Sequence, residues 1–181
     1  MRRNPLAPWV LALTALSLAV PGSARPAPPD HTWNAWRFLF GEWVAEGGGQ
    51  PGQASGGAFS FAPDLDGRVL IRRSHAEYAA TKDRGAFRHD DLMVVYRDLP
   101  RGEIRALYAD NEGHVIHYEV AADTAAGTVV FTSAPAPRAP RYRFTYRKLA
   151  PDSLAFSFDV APPGKPDSLA TYVKGTARRK R

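Results

Sequence analysis

The chain has 181 residues, of which 44% are hydrophobic and 11% aromatic, and its formal net charge is +6. This length is typical of one domain, and the apolar content excludes a wholly disordered chain. There is no cysteine, which excludes disulfides, thiolate nucleophiles and cysteine-ligated metal sites. The positive charge would suit a protein that binds nucleic acid or a membrane surface, so its distribution along the chain matters.

The beginning of the chain has the pattern of a secretory signal peptide. Two basic residues, Arg2 and Arg3, precede an apolar run from Leu6 to Val20, and small residues follow as far as Ala24. We expect cleavage after Ala24, which would make the mature protein periplasmic or secreted. The apolar run is too short to cross a bilayer comfortably, so we expect no membrane span in the mature protein.

The basic excess lies at the two ends of the chain. The predicted parts are a signal peptide over 1–24, a proline-rich linker over 25–31, a folded domain over 32–177 and a basic tail over 178–181. Residues 25–177 contain 18 basic and 18 acidic side chains. Because this central part is neutral, we predict no nucleic-acid partner.

From residue 41 onward, short apolar-rich runs alternate with turn signals made of Gly, Pro, Asn and Asp. The predicted strands are 41–47, 57–63, 68–79, 90–98, 103–110, 114–121, 127–133, 140–148, 153–160 and 168–177. Evenly spaced short strands predict an all-β protein. Short connections favour a meander, and closure removes exposed edges. We therefore predict an antiparallel up-and-down β-barrel of about ten strands, preceded by a short helical turn over 32–40.

Two central hairpins predict which side chains face inward. With a loop at 111–113, Tyr108 opposes Ile116, and Arg105 pairs with Glu119 on the other face. For the preceding hairpin we expect Tyr96 to oppose Ile104. The shared inner face then contains Leu92, Val94, Tyr96, Ile104, Ala106, Tyr108, Ile116 and Tyr118.

The run 140–148 alternates arginines with aromatic residues. On a strand the two types point to opposite faces, so we expect Tyr142, Phe144 and Tyr146 inside and the arginines in solvent. This interpretation is preferred over a stacking platform for single-stranded nucleic acid. An interior rich in Tyr and Phe predicts a small hydrophobic or amphipathic molecule as the partner.

The strand over 68–79 is unusually polar, and its parity is open. One register places Arg73, His75 and Glu77 inside, and a shift by one residue replaces them with Arg72, Ser74 and Tyr78. His114 flanks the 111–113 turn and either lines the barrel mouth or bonds locally to Asp110. The candidate ligand contacts are Arg73, His75, Tyr96, Tyr108, His114 and Tyr142.

Two other functions compete with ligand binding. An isomerase- or hydrolase-like enzyme would use an inner His75 with Arg73 or Glu77 for acid–base chemistry. A surface-binding module would attach through its basic tail. No metal site is predicted, because His114 and His117 lie three apart on a strand and point to opposite faces.

The segment from Phe38 to Trp43, with its Gly-x-Trp, resembles the first strand of calycin-superfamily barrels: lipocalins, fatty-acid-binding proteins and nitrobindin-like proteins. The chain from 33 to 180 is also similar to an uncharacterised family of exported bacterial calycin-like domains, through segments 38–43, 63–67, 91–96 and 113–118. In lipocalins the matching Trp closes the barrel floor beneath a basic side chain, which implies Lys174 or Arg178 over Trp43.

The same resemblance bears on cofactors. Nitrobindin-like proteins bind haem through a His close to the C-terminus. No His follows His117 in this chain. We therefore expect no haem and predict no other cofactor.

Overall fold

The structure is a computed structural model that describes residues 31–46 and 54–181. The predicted signal peptide, residues 25–30 of the predicted linker and residues 47–53 lie outside the described residues. Export and the cleavage position stay predictions. Among the described residues, no helix is both long and apolar enough to span a bilayer.

Ten antiparallel strands form a closed barrel, in which each strand pairs with the next along the chain and the last pairs with the first. The strands are β1 Gly41–Glu46, β2 Gly56–Asp64, β3 Val69–Tyr78, β4 Phe87–Asp98, β5 Glu103–Asp110, β6 Val115–Asp123, β7 Thr128–Ser133, β8 Arg141–Ala150, β9 Ser153–Ala161 and β10 Ala170–Arg179. The predicted fold class is confirmed. Because β10 extends through Arg179, two of the four terminal basic residues belong to the last strand.

A 3₁₀ helix, His31–Leu39, precedes the barrel. Three of its apolar residues, Trp33, Trp36 and Leu39, are spaced three apart and at most 5% exposed. A 3₁₀ helix has three residues per turn, so this spacing places all three on one face. Trp33 Nε1 donates to the Gly67 carbonyl oxygen at 2.5 Å, and Trp36 packs edge-on to Phe131 at 5.7 Å between centroids. The helix therefore plugs the end of the barrel where β2 turns into β3.

The plugged end also contains the Gly-x-Trp of β1. Trp43 is fully buried, and its Nε1 donates to the Leu39 carbonyl oxygen at 2.8 Å. The guanidinium of Arg179 lies 4.2 Å from the Trp43 ring centroid. The basic cover over Trp43 is thus Arg179, and the expectation of Lys174 or Arg178 is wrong. Arg178 is the neighbour on the opposite face of β10, where it pairs with Glu46.

Gly41 is required at this end of the barrel. Its φ is +102°, and a Cβ added there would lie 3.0 Å from Nη1 of Arg179. A side chain would be strained at that φ and would also crowd the guanidinium. Gly41 thus lets Arg179 reach the Phe40 and Phe38 carbonyl oxygens, to which it donates.

The two central hairpins give different outcomes. In β5–β6, Tyr108 opposes Ile116 and Arg105 opposes Glu119, as predicted. In β4–β5, Tyr96 opposes Arg105 rather than Ile104. The connecting turn, 99–102, contains four residues. Odd-numbered residues of β4 therefore oppose even-numbered residues of β5, as Val95 opposes Ala106. This slip by one residue moves Leu92, Val94 and Tyr96 to the outer face and brings Met93 and Val95 inside.

The later strands follow the predicted alternation. Their inner residues are Tyr142, Phe144 and Tyr146 of β8 and Leu154, Phe156 and Phe158 of β9. Gly175 of β10 makes room for one of them, because a Cβ at that position would lie 2.8 Å from the Phe156 ring. The aromatic interior predicted from the sequence is therefore present.

Candidate ligand-binding cavity

The end of the barrel opposite the helix contains a cavity of about 950 Å³. It reaches from the rim, formed by the β3–β4 and β5–β6 connections and the start of β10, to the middle of the barrel. Apolar and aromatic residues form much of its inner wall: Met93, Ile116, Tyr118, Tyr142, Phe144 and Phe158. Ligand pockets typically have volumes of roughly 300–1,000 Å³, so this one could hold a small molecule.

A buried ion pair lies at the floor of the cavity. Arg72 of β3 and Asp91 of β4 are each only 6% exposed in their side chains, and Nη1 of Arg72 donates to Oδ1 of Asp91. Nε of Arg72 donates to the Tyr146 hydroxyl at 2.6 Å. The guanidinium also lies 5.3 Å from the Phe144 ring centroid and 5.8 Å from that of Phe59. These contacts hold a charge that burial alone would make unfavourable.

The protonation states at the floor follow from these neighbours. Burial acts to lower the pKa of Arg72, but the Asp91 carboxylate and the Tyr146 hydroxyl outweigh it, so the pKa lies above its ordinary value. Burial raises the pKa of Tyr146, Tyr118 and Tyr108 well above the ordinary value for tyrosine. The arginine therefore stays charged and the phenols stay neutral across the physiological range.

A hydrogen-bonded network extends from the middle of the barrel to the rim along β4, β5 and the β5–β6 turn. His89 Nε2 lies 3.1 Å from the Tyr108 hydroxyl, and His89 Nδ1 lies 2.8 Å from Glu112 Oε1. The Tyr108 hydroxyl donates to Asp110 Oδ2 at 3.1 Å, and His114 Nδ1 lies 2.8 Å from the same oxygen. This wall is polar, and its groups largely satisfy one another.

Asp110 anchors the β5–β6 turn. Its Oδ1 accepts the backbone N–H groups of Glu112 and His114 at 3.0 and 2.9 Å. Burial acts to raise its pKa, but these bonds and those from the His114 and Tyr108 side chains outweigh burial, so the pKa is lowered. The predicted local bond between His114 and Asp110 is therefore present, and His114 also borders the cavity.

The rim on the opposite side is aromatic. Tyr78 and Phe87 stack with their centroids 4.4 Å apart, and Arg84 lies over the Phe87 ring at 3.3 Å. In β10 an irregularity between Thr171 and Val173 shifts the register. This bulge places Tyr172, which is 76% exposed, edge-on to Phe158 at the mouth of the cavity.

Two tyrosine hydroxyls on the cavity wall have no hydrogen-bond partner in the part of the chain that the structure describes. Among the described residues, neither the Tyr118 nor the Tyr142 hydroxyl makes a hydrogen bond, although both side chains line the cavity. Nη2 of Arg72 likewise has no hydrogen-bond partner within the described part of the chain, whereas Nε and Nη1 do. Unused polar groups in an otherwise satisfied wall are the groups most available to a ligand.

The structure places the six predicted contacts in two regions. Tyr108, His114 and Tyr142 border the cavity. Arg73 and His75 lie on the outer wall, because the parity of β3 puts Arg72, Ser74 and Tyr78 inside. Tyr96 also faces outward, as the β4–β5 register requires. The interior His75 cluster of the enzyme hypothesis is therefore not formed.

Arg73 and His75 instead border a groove of about 660 Å³ on the outside of the barrel. Its rim is charged, with Glu42, Arg88, Asp90 and Lys180 among its residues. Lys180 pairs with Glu42 at 2.7 Å, and Arg88 with Asp90 at 2.9 Å. The charges of these exposed pairs offset one another, and Arg73 is a further cation at the groove.

Sequence reasoning missed Arg72, Asp91 and His89 as site residues. Arg72 was one of two open alternatives, and the error in the β4–β5 register hid the other two. A correct count of the 99–102 turn would have placed Asp91 and His89 inside. Among the described residues, no group of three or more His, Asp or Glu side chains could hold a metal ion.

Comparison with known proteins adds no assignment. No known protein family matches the chain, and no curated protein matches it. The fold and the site therefore define the class by geometry alone: a closed ten-stranded antiparallel barrel with a plugged end and a cavity at the other.

Proposed function

We propose that this protein binds a small, partly apolar molecule in the cavity at the open end of the barrel. The observation that carries the proposal is the cavity of about 950 Å³, whose aromatic wall contains polar groups with no hydrogen-bond partner among the described residues. A barrel interior that served stability alone would be filled to crystal-like density. The aromatic rings would supply most of the binding free energy, and the polar groups would orient the ligand.

We also propose that the protein is an exported, calycin-like barrel that binds its ligand without a cofactor. The ten-stranded closed barrel and the arginine over Trp43 support the calycin-like assignment. The basic n-region and apolar run at the start of the chain support export to the periplasm or the outside.

Titration with N-phenyl-1-naphthylamine, a neutral apolar dye that brightens when buried, tests this function. We expect saturable binding by the mature protein. Ile116→Glu introduces a carboxylate into the cavity wall and should weaken dye binding by about tenfold or more, because a charge beside the dye must lose water. Val115→Glu is the matched control. Val115 directly precedes Ile116, is 64% exposed and points outward.

The control should bind the dye with an affinity within about twofold of the unmodified protein, since exposed substitutions rarely have larger effects. Near-ultraviolet circular dichroism shows whether each variant keeps its packed aromatic interior. Absence of saturable dye binding, or equal weakening by the two substitutions in folded variants, contradicts the proposed function.

A further inference from the structure

The floor of the cavity carries no net charge. Arg72 is the only cation that reaches the buried part of the wall among the described residues, and its charge is balanced there by Asp91. Closer to the rim, the charged groups of the polar wall are Asp110 and Glu112, beside His89 and His114. An anionic ligand would therefore approach carboxylates along its path and find a neutralised arginine at the floor.

The same floor still offers hydrogen-bond donors. Two of the three guanidinium nitrogens of Arg72 are used by Tyr146 and Asp91, and Nη2 remains without a partner among the described residues. Arg72 is 5% exposed, and it lines the cavity. Tyr118 and Tyr142, whose hydroxyls make no hydrogen bond to any residue that the structure describes, line the same wall. Because Arg72, Tyr118 and Tyr142 all line the cavity, an acceptor atom of a ligand can form hydrogen bonds with these donors without displacing any partner within the described residues.

We propose that the ligand is an uncharged aromatic molecule with a hydrogen-bond acceptor, such as a carbonyl oxygen, that reaches Arg72 at its inner end. The inference rests on the proposed binding function and specifies the ligand class. The aromatic part lies against Phe144, Phe158 and Tyr142, and the carbonyl oxygen accepts from Nη2 of Arg72. A carboxylate is disfavoured because Asp91 already neutralises the arginine, and desolvating a second anion is not repaid.

Charges at the rim do not reverse this preference. Lys82, Asp83 and Arg84 border the opening from the β3–β4 connection, and all three residues are exposed. Two cations beside one carboxylate attract an anion only weakly there, because solvent and salt screen exposed charges. Selection between neutral and anionic ligands is therefore made at the buried floor.

Three naphthalene probes of similar size separate the effects of the aromatic ring, a neutral acceptor and a negative charge on binding. They are naphthalene, with no polar group; 2-acetonaphthone, with a neutral carbonyl; and 2-naphthoate, with a carboxylate. Each is measured by displacement of N-phenyl-1-naphthylamine from the unmodified mature protein at neutral pH. We expect 2-acetonaphthone to bind about tenfold more tightly than 2-naphthoate. It should also bind at least about threefold more tightly than naphthalene, since a buried hydrogen bond to a charged donor is favourable.

A single substitution should change the selectivity. Asp91→Asn removes the carboxylate and leaves Arg72 uncompensated, so 2-naphthoate should gain about tenfold in affinity, while 2-acetonaphthone changes by less than about threefold. Asp90→Asn is the matched control, because Asp90 is the adjacent residue on the outer face, and it should leave both affinities unchanged.

The unmodified protein decides the inference even if the Asp91 variant fails to fold. Binding of 2-naphthoate as tight as that of 2-acetonaphthone, or naphthalene binding as tight as the ketone, overturns the inference while the dye binding still supports the proposed function. If the dye itself does not bind saturably, the proposed function fails and the inference fails with it. In a folded Asp91→Asn protein, unchanged 2-naphthoate affinity also overturns it.

Discussion

The plugged end and the open end of the barrel are built from the same ten strands but differ in how their inner faces are filled. At the plugged end, Trp33, Trp36, Leu39 and Trp43 are at most 5% exposed and contact a continuous apolar core. At the open end, polar and charged side chains lie among the aromatic ones, and together they surround a cavity. Strand alternation alone therefore does not produce a packed interior; an added element is needed to close an end.

This difference indicates that the plugged end provides most of the stability of the fold, whereas the open end provides the ligand-binding cavity. Tyr146 and Arg72 lie at the boundary between them: the Tyr146 ring packs edge-on to Phe61 at 5.3 Å, and its hydroxyl accepts from Arg72. Substitutions in the packed core between Tyr146 and the helix should lower stability most, whereas substitutions in the cavity wall and at the rim should lower it less and mainly change binding. The predictions that follow test this division.

The largest effect is expected from Trp36→Ala. Trp36 is 1% exposed and packs edge-on to Trp33 and Phe131, each at 5.7 Å between centroids. Removing it leaves a large cavity under the helix, which should lower the free energy of unfolding by about 3–5 kcal/mol. Urea denaturation followed by tryptophan fluorescence measures the change.

The matched substitution for Trp36→Ala removes an aromatic side chain from the open end. Tyr172→Ala removes a ring that is 76% exposed, so stability should change by no more than about 0.5 kcal/mol. Equal destabilisation by the two substitutions would show that the rim contributes as much to stability as the plug, and the proposed division would be wrong.

A smaller effect is expected from Arg179→Met at the plugged end. Arg179 lies over the Trp43 ring and donates to the carbonyl oxygens of Phe40 and Phe38. Methionine keeps much of the apolar contact but loses the charge and these bonds, which should cost about 1–3 kcal/mol. Thermal and urea unfolding of the variant measure the loss.

Arg178→Met is the control for Arg179, because it replaces the same residue type one position away on the outer face. Arg178 is 72% exposed in its side chain and pairs with Glu46. An exposed ion pair typically contributes between about 0 and 1 kcal/mol, so the control should remain close to the unmodified protein. If Arg178→Met proved the more destabilising, the assignment of Arg179 as the cover of Trp43 would lose its energetic support.

The sequence predicted the number of strands and the aromatic inner face because both follow from local patterns. Turn residues mark the strand ends, and alternation on β8 and β9 places Phe144 and Phe158 inside. The β5–β6 register was also predictable, since the three-residue loop and the Arg105–Glu119 pair agree. The chain order of the hairpins then determines the meander.

Other features depend on relations that no local pattern determines. The parity of β3 depends on the turn at 64–67, where Leu65 and Asp66 adopt positive φ without being glycine. Arg73 and His75 were therefore as plausible inside as Arg72. Lys174, Arg178 and Arg179 could not be distinguished as the cover of Trp43, because the end of β10 is set by its pairing with β1 across the closure.

Apart from the control substitutions, the smallest effect on stability is expected at the open end from Asp110→Asn, and it should depend on pH. Asparagine keeps an oxygen for the backbone N–H groups of Glu112 and His114, but it loses the charge that strengthens those bonds and the one from Tyr108. We expect a loss of about 1 kcal/mol in the free energy of unfolding at neutral pH. Chemical denaturation at a series of pH values measures the difference.

The direction of the pH dependence follows from the lowered pKa of Asp110 in the folded protein. Its stabilising contribution is fully present above the unfolded-state pKa of about 3.9 and is lost as the pH falls through the lower folded-state pKa. The gap between Asp110→Asn and the unmodified protein should therefore narrow below about pH 4. Asp123→Asn, at an exposed turn of the plugged end where Asp123 accepts one backbone N–H, should show a smaller gap at neutral pH. A gap for Asp110→Asn that widened in acid would mean that protonation of Asp110 stabilises the turn, opposite to the sign its hydrogen bonds require.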